Sequence, residues 1–340
     1  MSRRHWLRRA TRPAIMYRYF KKAFVALVLT FILFAGLALA AFRHTYPDEP
    51  KLPGNLEHGS LEYGNRIRTW IAYVPSKPQA QPPLVITLHS SMGTSKGARQ
   101  SFGFDFDLLA EEHGFIAVYP QGYEGHWNDC KKKGPFAAKA ENVDDVGFLK
   151  ALVDRLVRDH NADRGHVYIT GVSNGGAMTI RLALETPDFA RAYAAVVSNV
   201  PSPENMAITP KGKPVSMLLM EGTADPMNPW TGGDVVLYGV YGNRGPVLSA
   251  QASVDYFRAL DGATAPSQTT QIPDTDKTDG STAEREVWSA PGNLTVELVT
   301  IRGGGHSVPH PGMWGFRLLG NSNRDFHAAL EIWNFFQLAR

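Results

Sequence analysis

The segment Gly171-Val172-Ser173-Asn174-Gly175 constrains the fold of this chain more than any other stretch. It follows residues 167–170 (VYIT), a β-rich run, and precedes residues 177–184, which suit a helix. A serine between glycines at a strand-to-helix turn projects its hydroxyl from the carboxyl edge of a sheet. The glycines let the backbone turn without a Cβ clash. Other segments supply the sheet. Residues 68–74 (RTWIAYV) alternate and stop at Pro75, as an antiparallel strand does. Residues 84–88, 115–119, 215–220 and 294–301 are short apolar runs bounded by turn residues, the pattern of buried parallel strands. Residues 144–159, 251–260 and 325–338 have helical periodicity, with Asp144 or Asp145 placed to cap the first. Strands alternating with helices predict one α/β domain, a mostly parallel central sheet with helices on both faces. Residues 261–284, rich in Asp, Thr, Pro and Gly, read as a surface loop.

The N-terminal region indicates where such a domain works. Of the 35 Lys and Arg residues, eight (Arg3, Arg4, Arg8, Arg9, Arg12, Arg18, Lys21, Lys22) precede residue 43, where no Asp or Glu occurs. The remainder carries 27 basic against 32 acidic residues, and a mildly acidic body offers no broad footprint for nucleic acid. Residues 23–42 (AFVALVLTFILFAGLALAAF) are uncharged and, as a helix, span a hydrocarbon core of about 30 Å. Basic residues lie before this run and acidic ones only after it, which keeps the N-terminus in the cytoplasm and exports the body. The expected organisation is a basic cytoplasmic arm (1–22), a transmembrane anchor or signal (23–42), a Pro-rich linker (43–60) and a catalytic domain (61–340). The apolar run exceeds a usual signal core, so an uncleaved anchor is expected; Ala38-Leu39-Ala40 is the site a cleaved signal would use. The expected location is extracytoplasmic, periplasmic or secreted, at the inner membrane. Cys130 is the only cysteine, so an internal disulfide is impossible and a structural role is expected.

A serine hydroxyl becomes a nucleophile only beside a base that an acid orients. In folds built on this elbow the order is Ser, acid, His. Asp225 lies five residues after the run 215–220, in EGTADPMNP, and His306 follows the run 294–301, in RGGGHSVPHP. Both loops leave carboxyl strand ends, on the edge that holds Ser173. His306 would take the serine's proton and pass it to the leaving alcohol, with Asp225 fixing its tautomer. Asp234 and His310 are the nearest rivals. Asp144 and Asp145 precede the elbow and are assigned as helix caps. The oxyanion donors expected are the backbone N–H of Asn174 and that of Ser91, with Ser90 next, in the HSSMG that follows Leu88. The 11 histidines show no pair at helical spacing with a carboxylate, so no metal site is expected.

The stretches LVITLHSSMG, VYPQGYEGHW, NVDDVGFLKALVD, VYITGVSNGGAMTIRLALETPDFARAYAAV, LLMEGTADPMNPWTGG and RGGGHSVPHPG resemble the polyhydroxybutyrate depolymerase/feruloyl esterase group of α/β-hydrolases. The similarity runs over about residues 60–340, and DDVGF, SNGGAM and GGGH are its most specific parts. The resemblance implies an α/β-hydrolase fold and an extracytoplasmic serine carboxylic ester hydrolase. It implies Ser173, Asp225 and His306 as the triad, no cofactor, and hydroxyalkanoate or feruloyl and other aryl esters as substrates. Two departures stand out. Leu88-His89-Ser90 replaces the usual LHG, and Val308-Pro309-His310-Pro311-Gly312 stands where Trp-Pro-Gly usually follows the histidine. Tyr123, Trp127, Trp230 and Trp314 are candidates to stack on an aromatic acyl group or line an apolar pocket. The implied partners are an ester substrate and, through residues 23–42, a membrane. A serine peptidase of the same fold and a catalytically inactive binding protein are the alternatives.

Overall fold

The computed structural model describes residues 12–42, 44–240, 242–265 and 267–339. Helix α1 (Arg12–Phe42) belongs to one compact unit, and residues 44–315 and 319–339 to another. With 31 residues α1 is about 46 Å long. Its stretch Tyr19–Gly36 has a mean hydropathy of 1.7 and is unburied, so by length and composition it could cross a membrane. The helix starts well before residue 23, because Arg and Lys favour helix and Pro13 falls in its first turn, where proline is tolerated. Residues 1–11 of the expected basic arm lie outside the described residues.

The second unit is built on strands β1 (Asn55–Tyr63), β2 (Arg66–Val74), β3 (Leu84–Leu88), β4 (Ile116–Pro120), β5 (Val167–Val172), β6 (Ala192–Val196) and β7 (Ser216–Gly222). After a two-residue pair, β8 (Gly233–Asp234) and β9 (Pro246–Val247), come β10 (Gln268–Ile272), β11 (Thr282–Ala290) and β12 (Leu294–Arg302). Ten of these form one sheet in the order β1-β2-β4-β3-β5-β6-β7-β12-β11-β10. The run from β4 to β12 is parallel, and antiparallel strands flank it on both sides. Register decides where chemistry can occur. Leu88 pairs with Gly171, Val172 with Val196, Val196 with Met220, and Gly222 with Ile301. The carboxyl ends of β3, β5, β7 and β12 therefore share one edge.

Helices cover both faces of the sheet: α2 (Ser95–Ser101), α3 (Asp105–His113) and α8 (Ala328–Leu338) on one, α5 (Asp145–His160), α6 (Asn174–Glu185) and α7 (Ala250–Asp261) on the other. A one-turn helix, α4 (Ala137–Ala140), lies in a connection. Successive side chains on a strand point to opposite faces. Thus Tyr193 and Ala195 of β6 pack with Met178, Leu152 and Phe257, whereas Ala194 and Val196 pack with Phe106, Ile332 and Phe336. Burial on both faces explains why the central strands read as unbroken apolar runs.

Three expectations need correction. The segment expected to be a linker is laid against the domain. Thr45 and Trp314 exchange backbone hydrogen bonds of 2.9 and 3.3 Å, Glu49 pairs with Arg99 at 2.8 Å, and residues 55–60 already belong to β1. The expected loop 261–284 contains β10, an edge strand whose polar sequence QTTQI carries no buried alternation. Asp144 caps α5 by accepting from Gly147 N–H, but Asp145 does not cap it. Asp145 is fully buried, paired with Arg68 at 2.6 Å and accepting from Asn128 N–H at 2.7 Å.

One core residue makes stability depend on pH. Glu297 on β12 is 2% exposed, with Arg285 and Glu331 as charged neighbours, and its Oε1 has no hydrogen-bond partner among the described residues. Burial pushes its pKa up from 4.5 to about 8. Folding therefore takes up a proton there, and the associated stability is complete below the unfolded carboxyl's pKa and lost as pH rises through about 8. Glu297→Gln should raise Tm relative to the parent by several degrees at pH 9 and by much less at pH 5. Thermal unfolding of both proteins at the two pH values checks this, and an equal difference at both would refute it.

Candidate active site

The strand β5 runs two residues beyond VYIT, into Val172, and α6 begins at Asn174, leaving Ser173 alone at the turn. Its φ of 56° and ψ of −112° lie where non-glycine residues rarely sit, a strain of roughly 1–3 kcal/mol. Two backbone bonds hold it: Ser173 N–H donates to Val196 O at 2.9 Å, and Ala177 N–H to Ser173 O at 2.8 Å. The flanking glycines avoid a Cβ clash, as expected. They permit close approach. A Cβ on Gly171 would lie 2.4 Å from Gly175 O, and one on Gly175 would lie 2.3 Å from Leu88 O. The unusual backbone belongs to the serine itself.

Asp225 and His306 meet because the pairing of β7 with β12 continues past the strand ends. Thr223 N–H donates to Ile301 O and Ala224 N–H to Gly304 O, each at 2.9 Å. Gly222 makes room, since its Cβ would sit 2.5 Å from Gly304 O. Gly305 is likewise required: its Cβ would lie 2.1 Å from Leu319 O. At the end of this zipper His306 Nδ1 lies 2.6 Å from Asp225 Oδ2. The other carboxylate oxygen accepts from Met227 N–H at 2.7 Å and Asn228 N–H at 2.8 Å. The Asp225 side chain is fully buried and that of His306 is 8% exposed. With Nδ1–H donated to a carboxylate, the Nε2 lone pair is free to take a proton.

The loop after β3 is held from several sides. Buried His89 has its Nδ1 2.8 Å from Ser90 O, and its Nε2 accepts from Gly122 N–H at 2.9 Å. Accepting at Nε2 makes Nδ1 the donor, and burial holds the ring's pKa down to about 4, so it is neutral at physiological pH. In a trans peptide the C=O and N–H point in opposite directions. Fixing the Ser90 carbonyl therefore fixes the direction of Ser91 N–H. Gly93 N–H donates to Gly125 O, and Met92 N–H to His126 Nε2. Ser90 avoids the left-handed region; Met92, at φ 56°, occupies it. Serine in place of the usual glycine after His89 is therefore tolerated. The Asn174 side chain is equally fixed, Oδ1 accepting from Trp127 N–H at 2.8 Å and Nδ2 donating to Asp129 Oδ2 at 2.7 Å. Its backbone N–H, in the first turn of α6, has no intrahelical acceptor.

The candidate substrate-binding aromatics divide. Trp127 is fully buried and donates from Nε1 to His89 O at 3.0 Å, which corrects the expectation of substrate contact: it supports the loop from beneath. Tyr123 lies under the Arg66 guanidinium and near Glu141, and Trp230 is half-buried against the core. Trp314 is 46% exposed and stacks on Arg324. His310 pairs instead with Asp105, Nε2 to Oδ2 at 3.4 Å. That carboxylate also holds His327 Nδ1 at 2.8 Å. Because His310 Nδ1 accepts from Gly312 N–H, its Nε2 carries the proton, and the cluster fits hydrogen bonding better than metal ligation. Asp234 is exposed. Cys130 is buried and donates to Ala177 O, its thiol pushed up to about 12 by burial, which suits a structural role. Residues that the sequence did not single out include His89, Gln121 and Glu221. Only their neighbourhood in the motifs LHSSMG, YPQG and EGTAD signals them.

The sequence profile described as "Esterase PHB depolymerase" matches residues 69–208, a span that includes Ser173. "Putative esterase NocK" of Nocardia uniformis subsp. tsuyamanensis is 30% identical over 69% of this chain and 67% of its own length. "Poly(3-hydroxyalkanoate) depolymerase C" of Paucimonas lemoignei is 29% identical over 70% of this chain, which spans 58% of that protein. Among solved structures, "Acetyl xylan esterase from Aspergillus awamori" superposes with a TM-score of 0.53 at 19% identity, covering 83% of this chain and 99% of its own. That likeness shows the α/β-hydrolase fold. The chain therefore belongs to the esterase PHB depolymerase family and is an ester-hydrolysing enzyme.

Proposed function

We propose that this enzyme is a serine esterase that works through an acyl-enzyme, with Ser173 as nucleophile, His306 as general base and Asp225 as its orienting acid. The observation that carries the reading is the 2.6 Å contact of His306 Nδ1 with a buried carboxylate, on the edge where Ser173 sits in a strained turn. His306 Nε2 removes the Ser173 proton as the oxygen attacks the ester carbonyl. The same proton then goes to the departing alcohol, and water repeats the sequence on the acyl-enzyme. The Asn174 and Ser91 N–H groups receive the oxyanion, with His89 setting the direction of the second; Ser90 is the alternative donor. The substrates proposed are hydroxyalkanoate or feruloyl and related aryl esters, which the names of the relatives and the exposed Trp314 support. The enzyme is further proposed to act outside the cytoplasm, tethered by α1.

Turnover of p-nitrophenyl butyrate by folded variants tests these roles. Ser173→Ala should lose about 10⁶-fold in kcat and Asp225→Asn about 10⁴-fold. His89→Ala should lose roughly 10²-fold in kcat with little change in KM, the signature of a misdirected oxyanion donor. Wild-type activity should fall on acidification, because the mechanism needs an unprotonated base. A Ser173→Ala protein with near-parental turnover would refute the mechanism, and hydrolysis of peptides but not esters would redirect it to a peptidase. Membrane fractionation should recover the full-length chain in the carbonate-resistant pellet. A soluble exported form lacking residues 1–40 would show instead that the leader is cleaved.

A further inference from the structure

The loop that carries Asp225 begins at a second acidic side chain. Glu221, near the end of β7, is 1% exposed. Its Oε1 accepts from Ser198 N–H at 2.7 Å and its Oε2 from Asn228 Nδ2 at 3.0 Å. A full carboxylate charge buried without a cation is unfavourable, and among the described residues the two groups that hydrogen-bond to Glu221 are both neutral. The titratable group that faces it is Asp225, and behind Asp225 stands His306. Burial first, then the Asp225 charge, push the Glu221 pKa well above the usual carboxylate range.

Asn228 joins the two acids. Its side-chain amide holds Glu221, while its backbone N–H donates to Asp225 Oδ1 at 2.8 Å. An asparagine amide can donate to a carboxylate or accept from a carboxylic acid, so this contact survives protonation of Glu221. Ser198 adds a second tether: Glu221 also fixes the segment that follows β6, where Val197 N–H donates to Met220 O. Asn228 is thus gripped through its side chain while its amide grips the acid partner of His306.

We propose that Glu221 is a positioning residue, a buried carboxylic acid that anchors Asn228 and thereby holds Asp225 in register with His306. It never touches substrate. As an uncharged group it adds no second negative charge behind the Asp225–imidazole pair. A second charge there would stabilise the imidazolium further and weaken His306 as a base at moderate pH. The inference rests on the serine-esterase reading above.

The test compares Glu221→Ala, Glu221→Gln, Asn228→Ala and the double variant Glu221→Ala/Asn228→Ala in the full-length enzyme. Labelling of the parent by a fluorophosphonate comes first; an unlabelled but active parent would overturn the serine-esterase reading itself. With a labelled parent, Glu221→Ala should lower kcat for p-nitrophenyl butyrate about tenfold or more at nearly constant KM. Glutamine, isosteric and neutral, should rescue most of that loss and leave the midpoint of the acid limb of kcat/KM unmoved. The double variant should be no worse than the poorer single one, because both break the same link. Should glutamine shift the acid limb down by about half a pH unit or more, Glu221 is charged and the proposal is wrong. Parental kcat in the alanine variant, or additive losses, would equally overturn it. If the alanine variant does not fold, the acid limb of the glutamine variant and the kcat of Asn228→Ala decide.

Discussion

Two backbone hydrogen bonds at the ends of β7 and β12, Thr223 N–H to Ile301 O and Ala224 N–H to Gly304 O, are the constraint on which the site depends. Parallel strands deliver their carboxyl ends to one edge, but loops leaving that edge normally diverge. Here two more rungs are added, and the pair Asp225 and His306 forms where they stop. The glycines serve the approach of these backbones. A methyl group at Gly222 or Gly305 would meet a carbonyl oxygen at 2.5 or 2.1 Å, so neither rung nor pair would close unaltered.

The rest of the edge is arranged so that polar groups have one orientation each. His89, Gln121, Gly122 and Trp127 enclose the loop after β3 with hydrogen bonds from both its neighbours and the core below. Asn174 is pinned by Trp127 and Asp129. In the proposed mechanism such preorganisation matters because donors that are already aimed require no rearrangement as negative charge develops on the carbonyl oxygen. Strain in Ser173 and Met92 is sustained by the same enclosure.

Much of this was legible in the chain. Apolar runs gave β3 to the residue, Gly171 to Gly175 placed the elbow, and the order of Ser173, Asp225 and His306 along the chain selected the pair that the fold brings together. What escaped had physical reasons. In β6, AYAAV is rich in alanine, which has little strand propensity, and in β10, QTTQI lies on an exposed edge without apolar alternation. Asp145 looked like a cap because an acidic residue at a helix start usually is one; only the fold reveals Arg68 beside it. Trp127 looked like a substrate platform because aromatic residues near catalytic loops often are. Its indole is spent on His89 O. The contacts of Glu221 and His89 join distant segments, which composition and spacing do not encode.

The most direct measurement is peptide mapping by mass spectrometry after reaction of the active, full-length enzyme with a fluorophosphonate. A single phosphonyl adduct on Ser173, formed more slowly as the pH is lowered and abolished in step with esterase activity, is the result predicted. Ester hydrolysis that persists with Ser173 unmodified, or an adduct on a different residue that accounts for the lost activity, would contradict the assignment of Ser173 as the nucleophile.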